Sequence, residues 1–437
     1  MKQLLLGQTL AFRDNPFRVP PEEAAVHDPA GAVLVADGRI LATGPAGALG
    51  RAHPDAAVTD MGAALLVAGF IDCHAHYPQT RIIASWGRRL IDWLNEYTFP
   101  EEMRFSDPAY AAAVARDYLD LCLANGITSA AVYCTSHPGS VDAIMAEARA
   151  RGLRLAAGKV MMDRNAPPAL LDTPARAHDE TAALIARWHG VDRLQIAITP
   201  RFAPTSSPAQ LEVAGALWRA HPDCPMQTHL AEQPEEIAWV RSLFPQARDY
   251  LDVYQRHGLA GPGAIMGHAI HLSPRERAAL AETGCAIAHC PTSNSFIGSG
   301  LFDAALAETV PVGLATDVGG GSSFSMLRTM AAAYEISQLR GRALHPAQLL
   351  WLATQGSARA LRWQDRVGNL APGMEADIVA LDLASTPVIA QRAARAATPW
   401  EALFPTIMLG DDRAIAAVWI AGRRVQPRRA PGSGKEA

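Results

Sequence analysis

Short apolar runs recur along the central part of the chain, and longer segments with helical patterning separate them. Eight such runs are present, each of a length suited to one buried strand. They cover residues 70–76, 128–135, 153–162, 195–202, 225–230, 264–272, 286–290 and 311–317. Between two of them, Ser273-Pro274 opens a segment that closes near Gly284, as expected of a capped helix. Alternating strands and helices are typical of repeated βα units with parallel strands.

Eight βα units predict a (β/α)8 barrel, in which functional side chains follow the carboxyl ends of the strands. Near the N-terminus, segment 32–42 reads as a hairpin around Asp37-Gly38, and segments 377–383 and 417–425 show similar β patterns. We therefore expect both ends to build one small β-sandwich domain from residues 1–67 and 372–437. The metal-dependent barrel would span residues 68–371, and the tail from about Gln426 would be frayed.

Composition narrows the class of protein. The chain has 437 residues and a net charge of −4, and this mild negative balance argues against a nucleic-acid-binding surface, which needs clustered basic residues. Its six cysteines lack paired metal spacing and read as reduced core thiols. No signal peptide or membrane-length apolar stretch is recognisable. We expect a soluble, cytoplasmic protein.

The sharpest local motif is His74-Ala-His76 at the end of the first run. Alternate residues of a strand face the same side, so both imidazoles can converge on one point. Convergent neutral imidazoles favour a metal such as zinc, although this motif alone is equally consistent with two ordinary histidines.

Further metal-capable residues recur at later strand ends. His229 lies at the end of the fifth run, His268 lies in the sixth and Asp317 ends the eighth. Three histidines and a carboxylate can hold one divalent metal and leave a position for water, as hydrolysis requires. Zinc and iron both accept these ligands, so the sequence leaves the metal open.

Two charged residues near the predicted strand ends, Glu232 and Arg201, each have two possible roles. Glu232 follows His229 by three residues and is either a proton shuttle or a carboxylate that stabilises a helix N-terminus; spacing alone favours the helix role two to one. Arg201 ends the fourth run and either points into the barrel mouth or makes a surface salt bridge.

Other residues receive structural readings. Lys159 lies in the third run, whereas a carbamate lysine bridging two metals would lie in the fourth, so one metal is expected. His137, His271 and His289 are expected to pack or to support ligands. The aromatic segment 93–100 either packs an excursion from the barrel or covers a flat heterocycle.

With these residues, the chain resembles the guanine deaminases of the amidohydrolase superfamily, the bacterial form closely, from about Gly69 to Asp412. The HxH and Thr-Asp elements are general to the superfamily. Two motifs are more particular to guanine deaminases, namely Trp-Leu-Asn-Glu-Tyr-Thr-Phe-Pro at 93–100 and Thr-Pro-Arg-Phe at 199–202. Ala68 and Met374 depart from the usual pattern, and neither is a site residue.

The resemblance implies one zinc per subunit, guanine as substrate in purine catabolism, and a homodimer. The implied metal ligands are His74, His76, His229 and Asp317. The implied substrate contacts are Gln79, Arg201, Phe202, Glu232 and His268, with Arg201 matching the keto oxygen.

The resemblance also implies catalytic roles. Glu232 would carry a proton from the attacking water to ring N3 while the water oxygen attacks C2. Asp317 would pass a proton to the departing amine, and His268 would steady the developing charge. Xanthine and ammonia leave.

Two alternatives stay open at this point. Another single-metal aminohydrolase or chlorohydrolase, acting on a pterin, triazine or modified purine, would share the metal machinery. Only Gln79, Arg201 and the aromatic segment separate it from a guanine deaminase. A non-enzymatic scaffold of the same fold would have lost its metal, whereas every candidate ligand is retained here.

Overall fold

The computed structural model describes residues 2–86 and 90–425. Its strands, in chain order, are β1 (Gln3–Phe12), β2 (Ala25–Ala36), β3 (Arg39–Pro45), β4 (Ala57–Ala68), β5 (Phe70–His76), β6 (Ile127–Tyr133), β7 (Arg154–Gly158), β8 (Val160–Met161), β9 (Leu194–Ile196), β10 (Thr199–Pro200), β11 (Met226–Leu230), β12 (Ala264–His268), β13 (Ala286–His289), β14 (Val312–Leu314), β15 (Ile378–Leu381), β16 (Ile415–Ile420) and β17 (Arg423–Val425).

The α-helices are α1 (Ala46–Ala52), α2 (Leu90–Trp93), α3 (Phe99–Met103), α4 (Pro108–Ala124), α5 (Pro138–Arg151), α6 (Pro174–Trp188), α7 (Pro208–Ala220), α8 (Pro234–Leu243), α9 (Tyr250–Arg256), α10 (Pro274–Thr283), α11 (Pro291–Phe296), α12 (Met326–Leu339), α13 (Pro346–Ala353), α14 (Gln355–Ala360), α15 (Pro387–Ala393) and α16 (Pro399–Leu409). A π-helical turn spans Leu94–Thr98, and 3-10 turns span Tyr77–Ile82, Arg104–Ser106, Pro168–Leu170, Ala203–Thr205, Ala304–Glu308 and Asp412–Ala414.

The two ends of the chain share one seven-stranded sheet, in the order β17-β16-β15-β4-β1-β2-β3. The C-terminal half joins the N-terminal half where β15 runs antiparallel to β4. Asp37 and Gly38 both have positive φ, as a tight hairpin turn between β2 and β3 requires. The predicted β domain built from both termini is confirmed. Its boundaries at 67/68 and 371/372 stay predictions, and the tail beyond Val425 lies outside the described residues.

Eight parallel strands form the barrel in two groups of four, β5-β6-β7-β9 and β11-β12-β13-β14. Ile198 joins the groups, because its N–H donates to Pro225 O (2.9 Å) and its carbonyl accepts from Gln227 N (3.0 Å). The ring closes where Asp317 N donates to His74 O (2.9 Å). Each of the eight predicted runs overlaps one of these strands, so the predicted (β/α)8 barrel is confirmed.

Small apolar side chains fill the barrel below the mouth. One buried cluster combines Ile71 and Cys73 of β5 with Ala131, Ala156 and Ile265 of three further strands. The pairing of β5 with β6 shifts register between Asp72 and Ala75, which marks a bulge. A bulge re-aims the side chains that follow it. The bulge therefore lies between the part of β5 that packs in the barrel interior and the part that carries the two histidines.

All six cysteines are buried and free of disulfides. Among the described helices, none combines the length and apolarity that spanning a membrane requires.

Candidate metal centre and substrate pocket

Three histidines meet at the barrel mouth. His74 and His76 come from β5 and His229 comes from β11, on opposite halves of the barrel. Their nearest ring nitrogens lie within 4.8 Å of one another, and Nε2 of His76 faces Nε2 of His229 at 3.2 Å. The structure therefore assembles the first three predicted metal ligands.

Asp317 completes this cluster from the loop after β14. Its Oδ1 lies 3.4 Å from His74 Nε2 and 3.5 Å from His76 Nε2. Burial acts against its charged form, but the close imidazole of His74 and the other imidazoles nearby lower the pKa of Asp317 to about 2. Burial lowers the pKa values of His76 and His229 well below the ordinary value. The cluster thus offers neutral imidazoles and a carboxylate, the protonation states that metal ligation needs.

The unpaired nitrogens show that these residues fit a metal ion. Both ring nitrogens of His74 and Nδ1 of His76 are buried and accept or donate no hydrogen bond within residues 2–86 and 90–425. Buried polar atoms are normally paired, so orphaned nitrogens facing a carboxylate suit a cation. His229 Nδ1 is bonded to the carbonyl oxygen of Arg201 (2.7 Å), which directs its Nε2 toward the cluster.

His268 and Glu232 stand beside the cluster. His268 Nε2 lies 3.6 Å from Glu232 Oε2 and 3.9 Å from Asp317 Oδ2, while its Nδ1 bonds to Asn294 Oδ1 (2.9 Å). Burial acts against the charged ring, but the carboxylates of Glu232 and Asp317 contribute to raising the pKa of His268 well above its ordinary value. Burial raises the pKa of Glu232, against the opposing effect of His268.

Backbone strain concentrates at this site. His268 and Asp317 have φ of 65° and 49°, and Ala231 beside Glu232 has φ of 49°. Non-glycine residues in the left-handed region are uncommon and gather at functional sites. The strand ends are bent here so that the side chains reach the mouth.

A cavity opens onto the cluster. It is lined by His76, Gln79, Trp93, Leu94, Arg201, Phe202, His229, Glu232, His268, Ile297, Asp317 and Gly320. All five residues expected to contact substrate are in this set, together with Trp93 and Leu94 of the aromatic segment. Within the aromatic segment 93–100, Phe99 packs with Tyr133 in a buried cluster, while Trp93 and Leu94 line the cavity.

Arg201 is buried, which excludes the surface salt bridge considered for it. Its side chain pairs with Glu102, and the two residues are 3% and 0% exposed. Glu102 also accepts a hydrogen bond from Gln79 Nε2 (3.0 Å). Sequence analysis missed Glu102, because an acid following Glu101 in a short helix carries no distinguishing pattern.

Glu232 likewise does not make the capping contact at the helix N-terminus, although its spacing favoured a helix-stabilising role. Glu236 makes the capping box of α8, where its Oε2 accepts from Glu232 N (2.8 Å) and Gln233 N (3.2 Å). Glu232 Oε1 instead accepts from Ser299 Oγ (2.8 Å), a second contact that the sequence did not indicate.

The remaining candidates lie away from the cavity lining. Lys159 is fully buried and pairs with Asp172 and with Glu180 at 3.2 Å, in agreement with a structural role. His289 stacks on Phe302 with ring centroids 4.2 Å apart, and His271 Nε2 bonds to Ser299 O (2.7 Å).

The barrel, its metal-type cluster and the polar pocket define a hydrolase of the amidohydrolase type. The chain matches the sequence profile of the Amidohydrolase family over residues 65–425, so it belongs to that family. A short second match, over residues 31–56, is to a bacterial imidazolonepropionase-like composite domain.

Individual relatives narrow the assignment. The guanine deaminase of Escherichia coli (strain K12) is 42% identical over 418 residues, which cover 95% of either chain. The solved structure of E. coli guanine deaminase matches with a TM-score of 0.94 at 40% identity, covering 98% of this chain and 100% of that one. Guanine deaminase from C. acetobutylicum with bound guanine matches with a TM-score of 0.88 at 26% identity and the same coverage. Within the amidohydrolases, this chain belongs to the guanine deaminases.

Proposed function

We propose that the protein hydrolyses guanine to xanthine and ammonia in purine catabolism. The observation that carries this proposal is the buried Arg201 in the same cavity as the three histidines and Asp317. A guanidinium supplies only hydrogen-bond donors, so it suits the keto oxygen of guanine and opposes the amino group that adenine has there. Leaving such a buried donor unpaired is costly, which gives discrimination.

We further propose that His74, His76, His229 and Asp317 hold one zinc ion per subunit. A bound divalent ion supplies Lewis-acid chemistry that lowers the pKa of a water molecule toward neutrality. The donor set accepts iron as well, so metal analysis of the purified protein identifies the ion.

Glu232 is the group best placed to move a proton. Ser299 holds Oε1, whereas Oε2 faces His268 across 3.6 Å at the cavity wall. Burial favours the protonated carboxyl, so Glu232 can take a proton from water and donate it to ring N3.

Asp317 and His268 complete the proposed reaction. The water oxygen bonds to C2 and the C2–amine bond breaks. One water proton reaches N3 through Glu232, and the other reaches the departing amine through Asp317, which balances xanthine and ammonia. His268, oriented by Asn294, stabilises the negative charge that develops at the attacking oxygen.

The direct test is ammonia release from metal-replete protein offered guanine, adenine, cytosine, a pterin and an aminotriazine. We expect turnover of guanine alone, with parallel loss of its absorbance. Turnover of another base instead would keep the metal centre but overturn the substrate. No activity on any of the five compounds, together with no stoichiometric metal, would support the non-enzymatic scaffold instead.

The homodimer implied by the resemblance and the cytoplasmic location expected from the composition stay predictions. Sedimentation equilibrium of the purified protein measures the first, and fractionation of the source cells measures the second.

A further inference from the structure

We propose that Glu102 is a positioning residue that sets the hydrogen-bonding pattern of the substrate pocket by acting through Arg201 and Gln79. This inference rests on the proposed function, because it concerns how the same pocket recognises guanine. Glu102 is fully buried and is not part of the cavity lining, so it does not reach a ligand directly.

The contacts of Glu102 join two residues that do line the cavity. Its Oε1 and Oε2 accept from Nη1 of Arg201 at 2.9 Å and 2.7 Å. Its Oε1 also accepts from Nε2 of Gln79 at 3.0 Å. One carboxylate therefore holds both polar side chains.

These contacts decide which atoms face a substrate. A carboxylate can only accept hydrogen bonds, so it orients the Gln79 amide with the nitrogen toward Glu102. The amide oxygen is then the atom left to accept from a ring N–H. Arg201 uses Nη1 for Glu102, and its Nε and Nη2 donors are left for a keto oxygen. The pocket thus presents donors from Arg201 and an acceptor from Gln79, which matches a ring with a keto oxygen and N–H groups.

Charge supports the same role. A buried guanidinium without a counter-ion is strongly unfavourable, and Glu102 neutralises Arg201 inside the protein. Glu102 lies in α3, which directly follows the π-helical turn Leu94–Thr98. Trp93 and Leu94, at the start of that turn, line the cavity. Phe99 of the same segment lies 5.8 Å from the Arg201 guanidinium carbon, measured to the ring centroid. Residues 93–102 therefore supply both lining residues of the pocket and the carboxylate that holds Gln79 and Arg201.

The test is the steady-state kinetics of Glu102→Gln with guanine. The neutral amide weakens the hold on Arg201 and can donate to Gln79, which reverses the orientation of that amide. We expect kcat/KM to fall by about 100-fold, mainly through a rise in KM, because a binding contact is lost while Glu232 and the histidines stay in place. Binding of the product xanthine, measured by calorimetry, should weaken in parallel, and bound metal should be unchanged.

A double-mutant cycle separates positioning from general stability. If Glu102 acts largely through Arg201, adding Glu102→Gln to Arg201→Met should lower kcat/KM by clearly less than the about 100-fold expected in the wild-type background, and the loss that remains is the part that acts through Gln79. Losses that multiply independently would overturn the proposal. Glu375→Gln is the matched control, since Glu375 is a buried carboxylate that pairs with Arg154 and Arg193 away from the cavity. It should lower Tm yet leave the KM for guanine within about twofold.

Two further outcomes keep the proposal distinct from the proposed function. If wild-type protein does not turn over guanine, the proposed function fails before Glu102 is tested. If Glu102→Gln fails to fold, Glu102→Asp keeps the charge but shortens the reach, and a KM rise of about tenfold is expected. An active wild type whose Glu102 variants keep the wild-type KM overturns the positioning role.

Discussion

The backbone N–H of Asp317 donates to the carbonyl oxygen of His74 across 2.9 Å. This bond joins the loop after the last barrel strand to the first barrel strand at the two residues that begin and end the metal cluster. Asp317 has φ of 49°, so its backbone is bent into this position. The cluster is therefore complete only when the barrel is closed, and metal binding should report on closure.

Replacement of His229 by alanine should abolish binding of the metal ion. His229 is the ligand that the second half of the barrel contributes, and three protein ligands would then remain for a site that fits four. We expect bound metal, measured by mass spectrometry, to drop well below one ion per chain, with ammonia release down at least about 1,000-fold. His178→Ala, an exposed histidine bonded to Asp179, is the control and should retain both. Full metal occupancy in the His229 variant would contradict the ligand assignment.

Glu232→Gln should lower kcat for guanine by about 100- to 10,000-fold, because the amide cannot carry a proton to N3. KM should change little, and the metal content should stay the same. The control is Glu235→Gln, which alters an exposed acid in the first turn of α8. If kcat of the Glu232 variant stays within about threefold of wild type, another group moves the proton.

Arg201→Met should lower kcat/KM for guanine by about 1,000-fold, since a buried site built to donate to an oxygen loses its donors. The variant also leaves Glu102 without its cation, so Tm should fall. Arg164→Met is a suitable control, because Arg164 donates to the Ala203 carbonyl (2.8 Å) outside the cavity lining. Equal losses in both variants would show that Arg201 contributes stability and not recognition.

Gly319→Ala should raise the KM for guanine by displacing Gln79. Gly319 has φ of 109°, and a Cβ at this position would lie 2.0 Å from Oε1 of Gln79. We expect a rise of about tenfold, through the misplaced amide. Gly341→Ala is the matched control: it also has positive φ (80°), but its Cβ would meet no atom within 4 Å. Gly341→Ala should lower only the free energy of unfolding, by about 1 kcal/mol. Identical KM values in both variants would show that crowding of Gln79 by a side chain at position 319 does not affect guanine binding.

Glu236→Gln should change how stability depends on pH. Burial, reinforced by Glu232, raises the pKa of Glu236 from 4.5 to about 7. A raised carboxyl pKa means that the folded state binds a proton that the unfolded state has released between these values. Its contribution to stability is therefore complete below about pH 4.5 and is lost as pH rises through about 7.

The amide of the Glu236→Gln variant can still accept from the α8 backbone and can donate to Tyr250 OH, which Glu236 now contacts at 2.7 Å. We expect the loss of stability between pH 5 and pH 8 to be smaller in the variant, by on the order of 3 kcal/mol. Denaturant unfolding at both pH values measures it. Glu276→Gln, at the same capping-box position of α10, is the control for losing a capping carboxylate. Parallel pH profiles in wild type and Glu236→Gln would rule out titration of Glu236.

The barrel strands and most of the metal cluster were predictable because their signals are local. Apolar runs bounded by polar segments mark strands, and parallel strands direct their carboxyl ends to one side. That rule placed five candidates at one edge of the barrel, and the resemblance to guanine deaminases then implied which four are ligands: His74, His76, His229 and Asp317, with His268 beside them. Spacing was less informative for Glu232, where two adjacent acids, Glu235 and Glu236, competed for the same helix N-terminus. The structure shows that Glu236 caps this helix, whereas Glu232 lines the cavity.

The sequence by itself determined the period of strands and helices, the two-ended sheet and the chemistry available at the barrel mouth. Only the tertiary structure decided which charges pair. Glu102 lies 99 residues from Arg201 and 23 from Gln79, so their contact depends on how an excursion between β5 and β6 folds over the mouth. The physical reason is the distance along the sequence over which each kind of interaction acts. Periodicity and strand direction are properties of neighbouring residues, whereas a buried ion pair forms wherever packing brings two distant side chains together and removes water from both.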